Sequence, residues 1–411
     1  MIKFAIVALS SLMILDNASA QTGWVRQTSG TSNYLYSVYF VSPTTGWVVG
    51  QAGTILKTTN SGIIWSPQSS GTTNFLYSVF FIDANTGWTV GQNGTIRKTT
   101  NAGAVWSPQS SGSSEYLYSV TFTDMSNGVI VGSNGLVLRT TDGGAQWSPV
   151  HTGISNTLST VNFPISATSL VGYAVGGSVS ESTVLRTTDA GVTWTPQDAG
   201  TSNWLFGVHF TDLQTGWAVG VNGAIRHTTD GGQMWLPQSS GTVERLVGTH
   251  FPAPNTGWAV GFAGTILKTE NGGNEWIPQT SGVTNNLWSV FFLDSNTGWA
   301  AGWNGTILHT RTGGTTSVAE KSQPAEFVLE QNYPNPFNPS TNIKFQIPNS
   351  NHVSLKVFDL LGREVATLVN EEKHPGTYTV QWEASELAGG VYVYRLTAIG
   401  FQQARKLLLL R

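Results

Sequence analysis

Two histidines, His209 and His250, stand 41 residues apart at the same place in related segments, LFGVHF and LVGTHF. Two imidazoles are half of a zinc site, and catalytic zinc needs a third protein ligand. The matching places elsewhere hold Tyr39, Phe80, Thr121, Asn162 and Phe291, so no ligand set closes. The pair reads as structural, and neither a metal nor another cofactor is expected. Glycoside hydrolysis would need two carboxyl groups flanking the scissile bond. Asp83, Asp124, Asp212 and Asp294 recur instead at one equivalent turn, which marks them as turn formers. A basic series, Lys57, Lys98, Arg139, Arg186, His227, Lys268 and His309, could hold an anion. Its regular recurrence points to scaffold, with the stem packed and the head paired to a loop carbonyl or an Asp. The last series is aromatic. Tyr34, Phe75, Tyr116, Thr157, Trp204, Arg245 and Asn286 precede one recurrent strand, and Phe262 and Trp303 sit at a recurrent turn on the same face. Aromatics around one rim suit stacking on sugar rings or packing on a protein partner. The candidate ligand-binding residues are therefore Tyr34, Phe75, Tyr116, Trp204, Arg245, Phe262 and Trp303.

These series exist because the chain repeats. Trp24, Trp65, Trp106, Trp147, Trp194, Trp235 and Trp276 follow one another at intervals of 41, 41, 41, 47, 41 and 41 residues. Each unit holds four short runs rich in β-branched and aromatic residues, which within residues 35–68 are LYSVYF, TGWVVG, GTILKTT and IIWSPQ. They are named strands A, B, C and D. A period near 41 with four strands per copy predicts a β-propeller, one blade per copy. Asn-Gly pairs between B and C, as at Asn93-Gly94 and Asn222-Gly223, suit a type I′ turn. The seventh copy supplies A (287–292), B (298–302) and C (306–311), but no tryptophan follows Gly313-Gly314. The missing D strand is Trp24-Val25-Arg26-Gln27, so the N-terminus is expected to complete the last blade. The fourth copy carries six extra residues, three near 164–172 and three near 176–182.

After Gly314 the rhythm stops. Residues 315–326 read as a linker, and residues 327–411 as a small β-sandwich. Its strands are marked by Ile343/Phe345/Ile347, Val353/Leu355/Val357, Tyr378/Val380/Trp382 and the run from Val391 to Leu396. At the other end, Lys3, an apolar run and Ala18-Ser19-Ala20 form a secretory signal peptide over residues 1–20. That run is too short to span a bilayer, so no transmembrane span is expected in the mature chain. The fold class is all-β: a seven-bladed propeller over 21–314, closed by its N-terminal strand, followed by the sandwich. A net charge of −3 with no basic stripe gives nucleic acid no footprint. Without cysteine there is no disulfide framework and no thiol chemistry.

The C–D loop Thr187-x-Asp189-x-Gly191-x-Thr193-Trp194, followed by Asp142/Gly144/Trp147 and Asp230/Gly232/Trp235, resembles the Asp-box, or bacterial neuraminidase repeat. Asn60, Asn101 and Asn271 replace Asp elsewhere. The resemblance implies a structural role for Asp142, Asp189 and Asp230. Sialidases of that kind need an arginine triad, and no propeller arginine here lies in their Arg-Ile-Pro context. Xyloglucanase-type relatives pair two propellers around a cleft, whereas this chain has one. Over 24–314 the unit resembles the photosystem II assembly and stability factor family. The stretches Tyr333 to Pro339, Asp359-Leu360-Leu361-Gly362-Arg363, Gly376-Thr377-Tyr378, Gly390-Val391-Tyr392 and Arg405-Lys406-Leu407 resemble the type A C-terminal sorting domain of the type IX secretion system. That resemblance implies the secretion machinery as partner, with Gly362, Arg363, Gly376, Tyr378, Gly390, Tyr392, Arg405 and Lys406 in the sorting signal. The expectation is a monomeric, non-catalytic binding module for a glycan or protein, secreted or held at the outer cell surface by way of the periplasm. The alternatives are an assembly or stability factor for an envelope complex, and a glycoside hydrolase of Asp-box type.

Overall fold

The computed structural model describes residues 23–164, 170–315, 326–348, 351–373 and 376–410. The expected signal peptide lies outside the described residues, as do 316–325 of the expected linker and 165–169 of the first insertion. The chain divides into two compact units, Met1–Thr316 and Ser317–Arg411.

Among the described residues the first unit holds seven four-stranded antiparallel sheets. Their A strands are Leu35–Phe40, Leu76–Phe81, Leu117–Phe122, Thr157–Asn162, Leu205–Phe210, Leu246–Ala253 and Leu287–Phe292. Each A strand touches the next, and the seventh touches the first, so the sheets close a ring of blades. The last sheet is completed by Val25–Gln27, paired antiparallel to Ile307–Thr310 with Arg26 opposite Leu308.

The recurrent Gly-Trp of strand B has a packing cause. Phe40 lies over its cross-strand partner Gly46, where a Cβ would sit 2.5 Å from the ring. The tryptophan that follows faces the next blade and stacks on that blade's phenylalanine. Trp47 meets Phe81 at 3.6 Å, Trp258 meets Phe292 at 3.4 Å, and Trp299 meets Phe40 at 3.5 Å across the closure. The strand-D tryptophan then crosses the same phenylalanine edge-on, as Trp65 does Phe40 at 5.9 Å. Trp47, Trp88, Trp217, Trp258 and Trp299 are fully buried, and this chain of rings is the core between blades. The Asn-Gly turns are type I′: Asn93 and Gly94 have φ of 52° and 63°, and Thr95 N–H donates to Gln92 O at 3.0 Å. In the fourth blade the B–C hairpin is longer, with Gly177 opposite Ser182 and Ser178 opposite Glu181.

The second unit is a sandwich. Val328–Leu329, Ser340–Ile347 and Gly376–Glu383 form one sheet, and Glu364–Lys373, Asn351–Phe358, Gly390–Ala398 and Phe401–Leu409 the other. Ile343, Phe345, Ile347, Val353, Leu355, Val357, Tyr394 and Leu396 form its core with no exposed surface. Sequence alternation showed four of these strands. It missed the two-residue Val328–Leu329, Glu364–Lys373, an edge strand whose second half is polar, and Phe401–Leu409, where polar residues fill the first half.

Candidate functional site

Every A strand carries a β-bulge at the residue that follows its buried Leu. Leu35 pairs with Gly50 and Ser37 with Val49, so Tyr36 is the extra residue between them, and the same shift recurs in all seven blades. A bulge re-aims its side chain, and here it turns Tyr36, Tyr77, Tyr118, Ser159, Phe206, Val247 and Trp288 toward the axis. Tyr36 and Tyr77, and Tyr77 and Tyr118, lie 5.2 Å apart, with Trp288 at 5.6 Å from Tyr36. With Thr157, Thr160 and Trp204 these seven enclose a pocket of about 340 Å³ at the mouth of the ring. The inner ring is absent from the sequence reading because nothing in the run LYSVYF marks the bulge. The available signal was an amphipathic Tyr or Trp at the second place of four copies.

Deeper residues line the axis in two layers. At the third place Ser37, Ser78, Ser119 and Ser289 accept the backbone N–H of Val79, Val120, Val161 and Val38 in the following blade, at 3.2–3.3 Å. At the fifth place His209 and His250 lie 4.5 Å apart, and Phe291, Tyr39 and Phe80 continue the layer at 4.9, 4.9 and 5.3 Å. Neither histidine Nδ1 has a partner. Burial pushes the His209 pKa down to about 4, takes that of His250 well below its ordinary value, and lifts Tyr39 to about 12. Among the described residues no third His, Asp, Glu or Cys joins the pair as a metal-ligand group.

All seven candidate rim residues connect to this mouth. Tyr34 stacks on Trp303 at 4.7 Å, and Phe262 stands 6.2 Å from Trp303 and 5.9 Å from Trp288. The Arg245 guanidinium lies between Phe262 at 4.8 Å and Phe206 at 5.2 Å. Trp204 stacks on Phe206 at 5.0 Å, while Phe75 stands 6.2 Å from Tyr36 and Tyr116 6.4 Å from Tyr77. Tyr116 is exposed and the other six are half-buried. Only Trp204 of the seven lines the pocket itself, and the rest form a collar around the inner ring. The indole N–H groups of Trp288 and Trp303 are buried without an acceptor.

The other series are tied into the scaffold. Lys57 Nζ reaches Ala102 O at 2.9 Å over the Trp47 ring, and Lys98 Nζ reaches Gly143 O at 2.8 Å over Trp88. Arg139 Nε donates to Ala190 O at 2.9 Å, and the His227 and His309 rings stack on Trp217 and Trp299. In the Asp-boxes, Asp189 Oδ1 accepts Thr193 N–H at 2.8 Å and the Thr187 hydroxyl at 2.7 Å, and Asp230 accepts the corresponding pair. Donation from Gln146 N–H, then from the Thr140 hydroxyl, holds the Asp142 carboxyl below its ordinary range. Asp83, Asp124, Asp212 and Asp294 each accept two N–H groups of the A–B turn, at the far end of strand A from the mouth. No Asp or Glu lines the mouth pocket.

In the second unit, Asp359 accepts Leu361 and Arg363 N–H and pairs with the Arg363 guanidinium at 2.7 Å, shaping the turn that contains Gly362. Tyr392 OH donates to Ala388 O at 2.7 Å, and Arg405 Nε donates to Leu329 O. Lys406 O accepts from Gln331, Tyr378 lies 5.5 Å from Phe345, Gly376 pairs with Ile347, and Gly390 with Leu409.

The family model for photosynthesis system II assembly factor YCF48 matches residues 16–111, 108–201 and 241–319, and that for a secretion system C-terminal sorting domain matches 331–409. No curated protein matches the chain. Among solved structures, YCF48 bound to D1 peptide superposes with a TM-score of 0.61 at 22% identity, covering 71% of this chain and 96% of that one. YCF48 from Cyanidioschyzon merolae gives 0.60 at 20% identity, covering 70% and 98%. The GH74 xyloglucanase from Xanthomonas campestris gives 0.61 at 13% identity, covering 79% and 60%. At such identities these structures speak for the propeller fold.

Proposed function

The chain belongs to the photosynthesis system II assembly factor YCF48 family, and on that premise we propose that its propeller is a non-catalytic binding module whose ligand seats on the aromatic mouth. The sorting domain marks the chain for export through the type IX system, to the cell surface or beyond. The observation that carries the binding reading is the single connected aromatic surface, from the Tyr34–Trp303 stack through Arg245 to the inner ring. Ligand sites are concave and mostly apolar, with a few polar groups to fix orientation, and the mouth has this make-up. Hydrolysis would need a carboxyl pair about the bond, and the pocket lining offers none. In this reading residues 1–20 are cleaved on export, and the sorting domain is removed or used for attachment at the surface.

A second reading is a protein ligand, as in an assembly or stability factor for an envelope complex. It is favoured by the superposed YCF48 structure, which carries a D1 peptide. Both readings use one test. The mature chain and a Tyr34→Ala/Trp204→Ala variant are assayed on a glycan array and a peptide library. Loss of the wild-type ligand in the folded variant supports the mouth as the site, and undiminished binding moves the site elsewhere.

A further inference from the structure

Resting on the reading that the mouth binds the ligand, we infer that the ligand is the end of a neutral saccharide chain, its terminal one or two rings seated between Tyr36, Tyr77, Trp204 and Trp288. Size and the narrowing below it argue for an end. The pocket's volume of about 340 Å³ lies near the bottom of the range for small-ligand sites. Beneath it, the rings of His209, His250, Phe291, Tyr39 and Phe80 stand 4.5–5.3 Å from one another around the axis, so a bound chain would extend outward from the mouth.

Charge argues for a neutral ligand. No acidic, basic or histidine side chain lines the pocket. The nearby cation, Arg245, is held between two aromatic rings, of Phe206 and Phe262. A uronate or phosphate entering the pocket would leave water without a counter-ion inside it, and an ammonium group would meet no carboxylate.

The polar atoms argue for a sugar over a peptide. A pyranose presents C–H faces that lie on aromatic rings and hydroxyls that need partners at their edges. The walls supply ring faces together with phenol hydroxyls and the Ser159 hydroxyl. A peptide bound by strand addition needs a free strand edge. Here Ser37, Ser78, Ser119 and Ser289 already occupy N–H groups on four of the inner edges.

The test titrates the mature chain with gluco-, xylo- and manno-oligosaccharides of one to six rings, their uronate counterparts, and a peptide library. One neutral series is expected to bind with affinity that rises to about the second ring and then levels. Trp288→Phe, which keeps a ring face, should retain most of the affinity, and Trp288→Ala should abolish it. Affinity that climbs through all six rings would overturn end-on binding. Preference for uronates, or binding of peptides alone that Trp288→Ala abolishes, would overturn the ligand class and leave the mouth as the site. Saccharide binding indifferent to Trp288→Ala would sink this inference and the binding reading together. A folded chain blank against every neutral series overturns the inference alone.

Discussion

The Trp24 indole donates to Gln279 Oε1 at 2.8 Å, joining the start of the propeller to its sixth blade across 255 residues of sequence. The same side chain crosses Phe292 edge-on at 5.6 Å and is 8% exposed. Three residues on, Gln27 accepts the indole of Trp65 in the first blade at 3.1 Å and donates to Ser61 O at 2.8 Å. The N-terminal strand therefore holds both neighbours of the blade it completes. Trp24→Ala removes a buried aromatic and leaves Gln279 without one partner, at a cost of about 3–5 kcal/mol. Urea unfolding should show a lower midpoint, and deletion of residues 21–28 a larger drop with an exposed sheet edge. A deletion that melts with the full-length chain would refute this closure.

Acid should loosen the ring through its histidines. His209, His250 and His309 are held neutral chiefly by burial, with pKa values of about 4, well below ordinary, and about 4. The two inner histidines face each other and Phe291, and a charge on one opposes a charge on the other. Depressed folded values mean that the unfolded chain binds more protons between about pH 6.5 and 4. Stability is thus whole above pH 6.5 and is lost as pH falls through that window, by an amount on the order of 2–3 kcal/mol for His209. His209→Phe/His250→Phe, which copies the residues of other blades, should lessen the fall in melting temperature between pH 6.5 and 4.5 and leave the share due to His309. An unchanged acid slope in the double variant would show that the pair is not responsible.

Asp189 is the best-connected Asp-box carboxylate, taking Thr193 N–H and the hydroxyls of Thr187 and Thr193. These bonds are exposed and local, so Asp189→Ala should cost about 1 kcal/mol. Ligand affinity at the mouth should not move, because the loop lies at the other end of its strands. A ligand that weakened in Asp189→Ala at unchanged stability would relocate the site to the Asp-box face.

Much of this was legible because it repeats. The tryptophan period, the Gly-Trp pairs and the missing seventh D strand follow from constraints that each blade must satisfy. The collar was legible too, since Tyr34, Trp204 and their counterparts stand where copies differ. The inner ring was not. One extra residue in strand A turns Tyr36 and Trp288 to the axis, and a bulge leaves no mark in a hydrophobic pattern that still reads Leu, Val, Phe on the buried side. Pairing register decides that orientation, and only the folded ladder contains it. The serine bonds between blades were hidden for the same reason.

The sorting unit permits a clean separation of stability from recognition. Trp382 is 5% exposed and packs between Phe337 at 5.6 Å and Tyr392 at 6.1 Å. Trp382→Ala should cost about 3–5 kcal/mol and unfold a unit of this size, so the chain would fail to reach the surface for want of a fold. Arg363 is different. Its side chain is 74% exposed and, among the described residues, pairs with Asp359 on its own turn, a solvent-screened contact that adds little to stability. Arg363→Ala should therefore fold like the wild type, yet lose export in a type IX-competent host if the turn is read by the secretion machinery. Surface protein measured beside the melting curve gives both quantities. Wild-type export of a folded Arg363→Ala chain would remove this turn from the signal and leave the address to the strands that follow.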